Sequence, residues 1–123
     1  MAHIVIAAKR GPVRKAIRGL LTAEGHKIRC TENGADAYAA LCDEPADLVI
    51  CDAFMPVVDG VALMMMGREK HSARYLLMSE DPYLAHALAQ VDVDVDSVIA
   101  KPFNVHTLRA EVQRLLGENS EAA

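Results

Sequence analysis

The sequence of 123 residues predicts one α/β domain: a parallel, doubly wound sheet of five strands with helices on both faces. Short apolar runs recur along the chain, each followed by a stretch in which apolar residues fall at helical spacing. The run Leu48–Cys51 has no polar alternation, which suits a strand buried on both faces of a parallel sheet. Apolar content is 52% with only 4% aromatic residues and no Trp, so the core is aliphatic. A chain of this length supports one sizeable core and is too short for two ordinary domains.

His3 to Ala8 reads as the first strand. Gly11-Pro12 breaks it, and Val13, Ile17, Leu20 and Leu21 then recur at helical spacing opposite Arg14, Lys15 and Arg18, with Pro12 suited to the first helical turn. Gly25 ends that helix, and His26 to Cys30 alternates as a modest strand. Asn33-Gly34 turns the chain into a helix carrying Ala37, Tyr38, Ala40 and Leu41, which Pro45 closes. The central strand follows, then a helix from about Val61 to Arg68 and a strand from Tyr75 to Met78 that ends on Ser79. Asp81-Pro82 opens a helix using Leu84, Ala85, Leu88 and Ala89. Val98 to Ala100 is the fifth strand, stopped by Lys101-Pro102, and Val105, Leu108, Val112, Leu115 and Leu116 stripe the last helix. Residues 1–117 make the domain, and 118–123 read as a flexible, polar tail. Connections this short imply right-handed crossovers.

A net charge of −4, with no Lys/Arg run, argues against nucleic-acid binding. Cys30, Cys42 and Cys51 have no metal-ligand spacing and read as reduced core thiols; the five His are scattered and receive no role. No segment is long and apolar enough to cross a bilayer and no basic region precedes Ile4–Ala8, so a cytoplasmic protein is expected. Met64, Met65 and Met66 cannot share one helix face; ordinary core plus one solvent-facing Met is preferred over an adaptable sticky surface. The Val-Asp alternation from Val91 to Asp96 reads as a helix end and loop with a solvated acidic face.

Asp52 ends the central strand. In doubly wound sheets reactive groups collect beyond the carboxyl ends of the strands, although a plain turn after Asp52 accounts for the same residues, given Met55-Pro56 and Asp59-Gly60 just after it. Three features then carry a resemblance that spans His3 to Leu116. They are Asp52 within D-x-x-M-P-x-x-D-G, Ser79 ending the fourth strand, and Lys101-Pro102-Phe103 ending the fifth. The chain resembles the receiver domain of bacterial two-component response regulators. That resemblance implies the flavodoxin-like (βα)5 fold with strand order 2-1-3-4-5, Asp52 as phosphoacceptor position, Ser79 as switch hydroxyl and Lys101 as the cation steadying the new charge. Carboxylate, hydroxyl and ammonium are what phosphoryl transfer needs as nucleophile, donor and counter-charge.

Receivers carry two adjacent acids at the end of the first strand, which with the acceptor Asp hold Mg²⁺. The alignment puts Ala8 and Lys9 there, and Arg10 follows, so a one-residue shift restores nothing. The expectation is therefore no working Mg²⁺ site and no other cofactor, with Glu80 and Asp81 as less favoured substitute carboxylates. Glu80 also stands where a small residue is usual. The aromatic-switch position holds Val98, and Phe54 sits where many receivers place a polar residue near the hydrolytic water. Lys9 or Lys101 is expected to bond Asp52 in place of the metal, unless Lys9 turns to solvent.

The implied function is a stand-alone, atypical receiver (a pseudo-receiver) in phosphorelay signalling, not an enzyme, acting by protein–protein contact with Mg²⁺-dependent phosphorylation impaired or lost. Its expected partners are a histidine kinase, a phosphotransfer protein or another signalling protein, met through the first helix near Arg14, Ile17 and Arg18 or through the fourth helix, fifth strand and fifth helix, which also suit a homodimer. The alternatives are an active phosphorelay carrier phosphorylated at Asp52 and, more remotely, a small aspartyl-nucleophile phosphatase or a flavin-binding protein. Phe54 replaces the second Asp such a phosphatase needs, and no phosphate loop follows the first strand.

Overall fold

Five strands and five helices alternate in the computed structural model, which describes residues 1–55 and 57–121. The strands are β1 (His3–Ala7), β2 (Lys27–Thr31), β3 (Leu48–Asp52), β4 (Arg74–Ser79) and β5 (Ser97–Ala100). The helices are α1 (Pro12–Ala23), α2 (Gly34–Asp43), α3 (Gly60–Arg68), α4 (Leu84–Gln90) and α5 (Val105–Glu121). All neighbouring strands pair in parallel in the order β2-β1-β3-β4-β5, with Ile4 opposite both Ile28 and Leu48, and Asp52 opposite Met78. This is the architecture the alternating pattern predicts.

Because side chains alternate along a strand, the central strands feed two separate cores. Val5, Val49, Cys51, Tyr75 and Leu77 pack with Leu41 of α2, Leu63 and Met64 of α3, and Leu84 and Leu88 of α4. Ile4, Ile6, Leu48, Ile50 and Leu76 pack on the other face with Ile17 and Leu21 of α1 and Leu108, Val112 and Leu115 of α5. β1 and β3 are buried at every position, whereas β2 alternates as an edge strand should. Burial of Tyr75 pushes its phenol up to about 12.

Several expectations need correction. Ile17 is 1% exposed and belongs to the core, so it offers a protein partner almost no surface; Val13, one turn earlier, is the exposed apolar residue of α1. Met64 is buried, but both Met65 and Met66 are exposed, because only one of three consecutive residues can face the sheet. Asp81-Pro82 forms a turn, with the Asp81 carboxylate accepting from the Tyr83 amide, and α4 starts only at Leu84. Cys42 is exposed and Cys30 partly so, leaving Cys51 as the buried thiol, its ionisation opposed by burial and by the charges of Asp52 and Asp59. α5 continues past Gly117 to Glu121: one Gly costs a helix only about 1 kcal/mol, and no Pro follows.

The larger correction concerns the Val-Asp alternation. Val93 and Val95 pack against the first core, and Asp96 is a hub rather than a solvated acid. Its carboxylate accepts from the Tyr75 amide at 2.8 Å and meets the guanidinium groups of Arg68 and Arg74 at 3.4 and 3.7 Å. The histidines found in contacts serve the scaffold: His3 Nδ1 bonds the Pro45 carbonyl, His26 Nδ1 accepts from the Ala2 amide, and His71 stands edge-on to Tyr38.

Candidate functional site

The carboxyl ends of β1, β3, β4 and β5 converge on a cleft of about 400 Å³ lined by Lys9, Asp52, Phe54, Met55, Met78, Glu80, Asp81 and Lys101. Asp52 forms its floor. Hydrogen bonding on both sides of β3 holds its backbone, and its side chain is only 11% exposed. The Lys101 ammonium forms an ion pair with Asp52 Oδ1, which has no other hydrogen-bond partner among the described residues. Lys101 is held in place from behind, since its amide donates to the Ser79 carbonyl at 2.8 Å. A buried carboxylate needs such a partner, and the ammonium supplies it.

The turn after Asp52 is stitched to the neighbouring strand β4 and closed on itself. The Ala53 amide donates to the Met78 carbonyl and the Gly60 amide to the Ala53 carbonyl, at 2.8 and 3.0 Å. A Cβ on Gly60 would lie 2.1 Å from the Asp52 carbonyl oxygen, so only glycine lets α3 begin this close to β3. Asp59 caps that helix, its Oδ1 accepting from the Ala62 amide at 2.8 Å. The second Asp and the Gly of D-x-x-M-P-x-x-D-G are thus scaffold for the first Asp. Pro56 of the same motif lies outside the described residues.

Ser79 ends β4 between Asp52 and Lys101, as the sequence predicts, but it does not line the cleft. It is 2% exposed, and its Oγ accepts from the Asp81 amide at 3.0 Å. On the β1 side Ala8 is buried, with its amide on the Thr31 carbonyl, and Lys9 is exposed. Lys9 makes no ion pair among the described residues, so of the two candidate ammonium partners only Lys101 holds Asp52. Arg14, whose role the sequence did not reveal, clamps this corner by donating to the Ala8 carbonyl at 3.2 Å. Glu80 and Asp81 both reach the cleft rim. Phe54 lies on the rim with 68% of its surface exposed, and Val98 is half-buried against the first core.

A doubly wound sheet with one buried carboxylate at the end of its middle strand and a lysine on it is the arrangement of a receiver, and the comparison with known families agrees. Residues 4–113 match the family described as "Response regulator receiver domain", and the chain belongs to that family. It is 29% identical over 117 residues to the sensor histidine kinase TmoS of Ectopseudomonas mendocina, covering 93% of this chain and 12% of TmoS. It is 26% identical over 120 residues to the transcriptional regulatory protein ResD of Bacillus subtilis, covering 98% of this chain and 50% of ResD. The chain thus spans half or less of these two relatives. Among solved structures, the response regulator TrrA of Thermotoga maritima, in complex with Mg²⁺-BeF, superposes with a TM-score of 0.79 at 26% identity, covering 94% of this chain and 99% of that one. The receiver domain of the sensor histidine kinase PA1611 of Pseudomonas aeruginosa, with magnesium in its cleft, gives 0.82 at 18% identity, covering 94% and 98%.

Proposed function

We propose that this receiver is an atypical signalling module that works by protein–protein contact, with Mg²⁺-dependent phosphorylation of Asp52 impaired. The observation that carries the reading is the end of β1, where a buried Ala8 is followed by an exposed Lys9 that borders the Asp52 cleft. Mg²⁺ requires six oxygens at about 2.1 Å in near-octahedral array and is usually anchored by one or two carboxylates. Among the described residues lining the cleft, Asp52 is the one carboxylate on its β1–β3 side, and its Oδ1 faces Lys101. Glu80 and Asp81 reach the cleft only from the β4 rim, and Asp81 is engaged with the Tyr83 amide. This donor set does not fit the ion, and without it the charge that gathers on an incoming phosphoryl group has only Lys9 and Lys101 to meet it.

A histidine kinase, a phosphotransfer protein or another signalling protein is the partner this reading implies, in the cytoplasm and without catalysis by the chain itself. A homodimer through α4, β5 and α5 belongs to the same reading. A second reading, a phosphorelay carrier phosphorylated at Asp52, is favoured by the Lys101–Asp52 pair and by Ser79 on the strand between them.

Two measurements separate the readings. Titration with millimolar Mg²⁺ is expected to leave the amide resonances around Asp52 in place, and acetyl phosphate to yield little phosphoprotein. Ala8→Asp with Lys9→Asp is expected to install both responses. Saturable Mg²⁺ shifts in the unaltered chain, or phosphorylation that Asp52→Asn abolishes, would promote the carrier. A double variant inert to Mg²⁺ and phosphodonor alike would clear the missing acids and implicate Glu80 or Phe54.

A further inference from the structure

Beside the Asp52 cleft, and sharing Lys9, Glu80 and Lys101 with it, a second and larger hollow of about 800 Å³ opens between the start of α1 and the start of α5. Its floor is apolar and rigid: Ile17 and Leu108 are 1% and 0% exposed and belong to the second core. Its sides are apolar but wet, with Val13 47% and Val105 49% exposed, and Phe103 is half-buried alongside. Apolar walls of this extent with a few polar groups gathered at one end describe a small-molecule pocket, and the volume lies within the usual range of roughly 300–1,000 Å³.

The polar end has a definite sign. Lys9 reaches it with no ion-pair partner among the described residues, and Lys101 stands beside it, balanced by Asp52. α1 begins there at Pro12, with no side-chain cap on its N-terminal amides and no acidic residue in its first turn, so the positive end of the helix is uncompensated. Against these stands one further carboxylate, the exposed Glu80. Two ammonium groups and a helix N-terminus, each such terminus worth about half a charge, outweigh two carboxylates and leave that end positive.

We propose that this groove binds a small amphipathic organic anion, a carboxylate with an apolar tail, its head group at Lys9 and the α1 N-terminus and its tail over Ile17 and Leu108. Such a ligand would seat next to Lys101, the residue that holds Asp52, and so couples a soluble metabolite to the family's phosphoacceptor position without metal or phosphate. The inference stands whether or not Asp52 accepts a phosphoryl group.

The test uses the whole ¹⁵N-labelled chain titrated with decanoate below its micelle concentration, with acetate and decyltrimethylammonium as controls for head group and tail. Decanoate is expected to give saturable shifts at Val13, Ile17, Val105 and Leu108, and the two controls none. Lys9→Gln is expected to weaken decanoate three- to tenfold. Val13→Asp, at an exposed position that does not disturb the fold, is expected to weaken it at least tenfold with an unchanged amide spectrum elsewhere. Absence of saturable shifts, equal binding of the cationic amphiphile, shifts centred on the exposed Met65–Met66 face, or full affinity in either variant would each overturn the proposal.

Discussion

The two halves of the Asp52 cleft are built on different principles. On the β3–β4–β5 side every functional position is held by a neighbour: Lys101 by the Ser79 carbonyl, Asp52 by Lys101, and the following turn by Gly60 and the Asp59 cap. On the β1 side the strand is equally buried, yet it ends in Ala8 and a free-standing Lys9. The difference teaches that a strand can be fully buried while the residue bordering the cleft beyond it makes no ion pair among the described residues. β1 keeps its interior place in the sheet because Ile4, Val5 and Ile6 are needed in two cores, and Ala8 just beyond it is still packed in the second core, whereas the Lys9 side chain is exposed.

That contrast can be broken by experiment. The largest effect is expected at Gly60→Ala, where the new methyl would collide with the backbone of Asp52 rather than with a side chain that can swing away. Chemical denaturation should show a loss on the order of 3 kcal/mol or more, and an unperturbed midpoint would mean that the β3–β4–β5 half is not held by this close approach.

Next in size is the pH dependence of the buried centre. Tyr75 has its phenol raised to about 12 by burial, against an ordinary value near 10. Between those two values the unfolded chain releases this proton and the native one keeps it. Stability is therefore intact below pH 10 and falls as pH rises toward 12, by up to roughly 2 kcal/mol. Denaturation at a series of alkaline pH values checks the slope, and Tyr75→Phe should flatten it.

The smallest effects compare the two lysines directly. Lys101→Gln removes the partner of a carboxylate that is nearly buried and is expected to cost about 1–2 kcal/mol. Lys9→Gln removes an exposed ammonium and should stay within about 0.5 kcal/mol. Equal losses in thermal unfolding would erase the distinction between the two halves.

Much of this site was legible in the sequence because its parts sit at strand ends, and strand ends are marked locally. The apolar run up to Asp52 and the Lys101-Pro102 stop announce themselves within a few residues. Asp96 was misread for the opposite reason. Its surroundings in sequence are a polar alternation, while its partners Tyr75 and Arg68 come from 21 and 28 residues away. Helical spacing put Ile17 on the buried stripe of its helix and the family resemblance put it at a docking face, and the spacing was right; Cys42 was read as a core thiol from the lack of metal-ligand spacing, which says nothing of how far a neighbouring element covers it. Asp59 read as a turn signal, and its bond to the Ala62 amide shows that it caps the helix that follows.

By itself, then, the sequence determined the order of elements, the parallel sheet, the family and the presence of Ala8 and Lys9 after β1, since each of these is written in residue type and period. Tertiary structure alone decided which of two lysines holds Asp52, that Ser79 is buried with its hydroxyl on the Asp81 amide, and that a groove opens between α1 and α5. Those outcomes depend on distances between strand ends and helix starts that are remote in sequence, and no local pattern encodes a distance across the sheet.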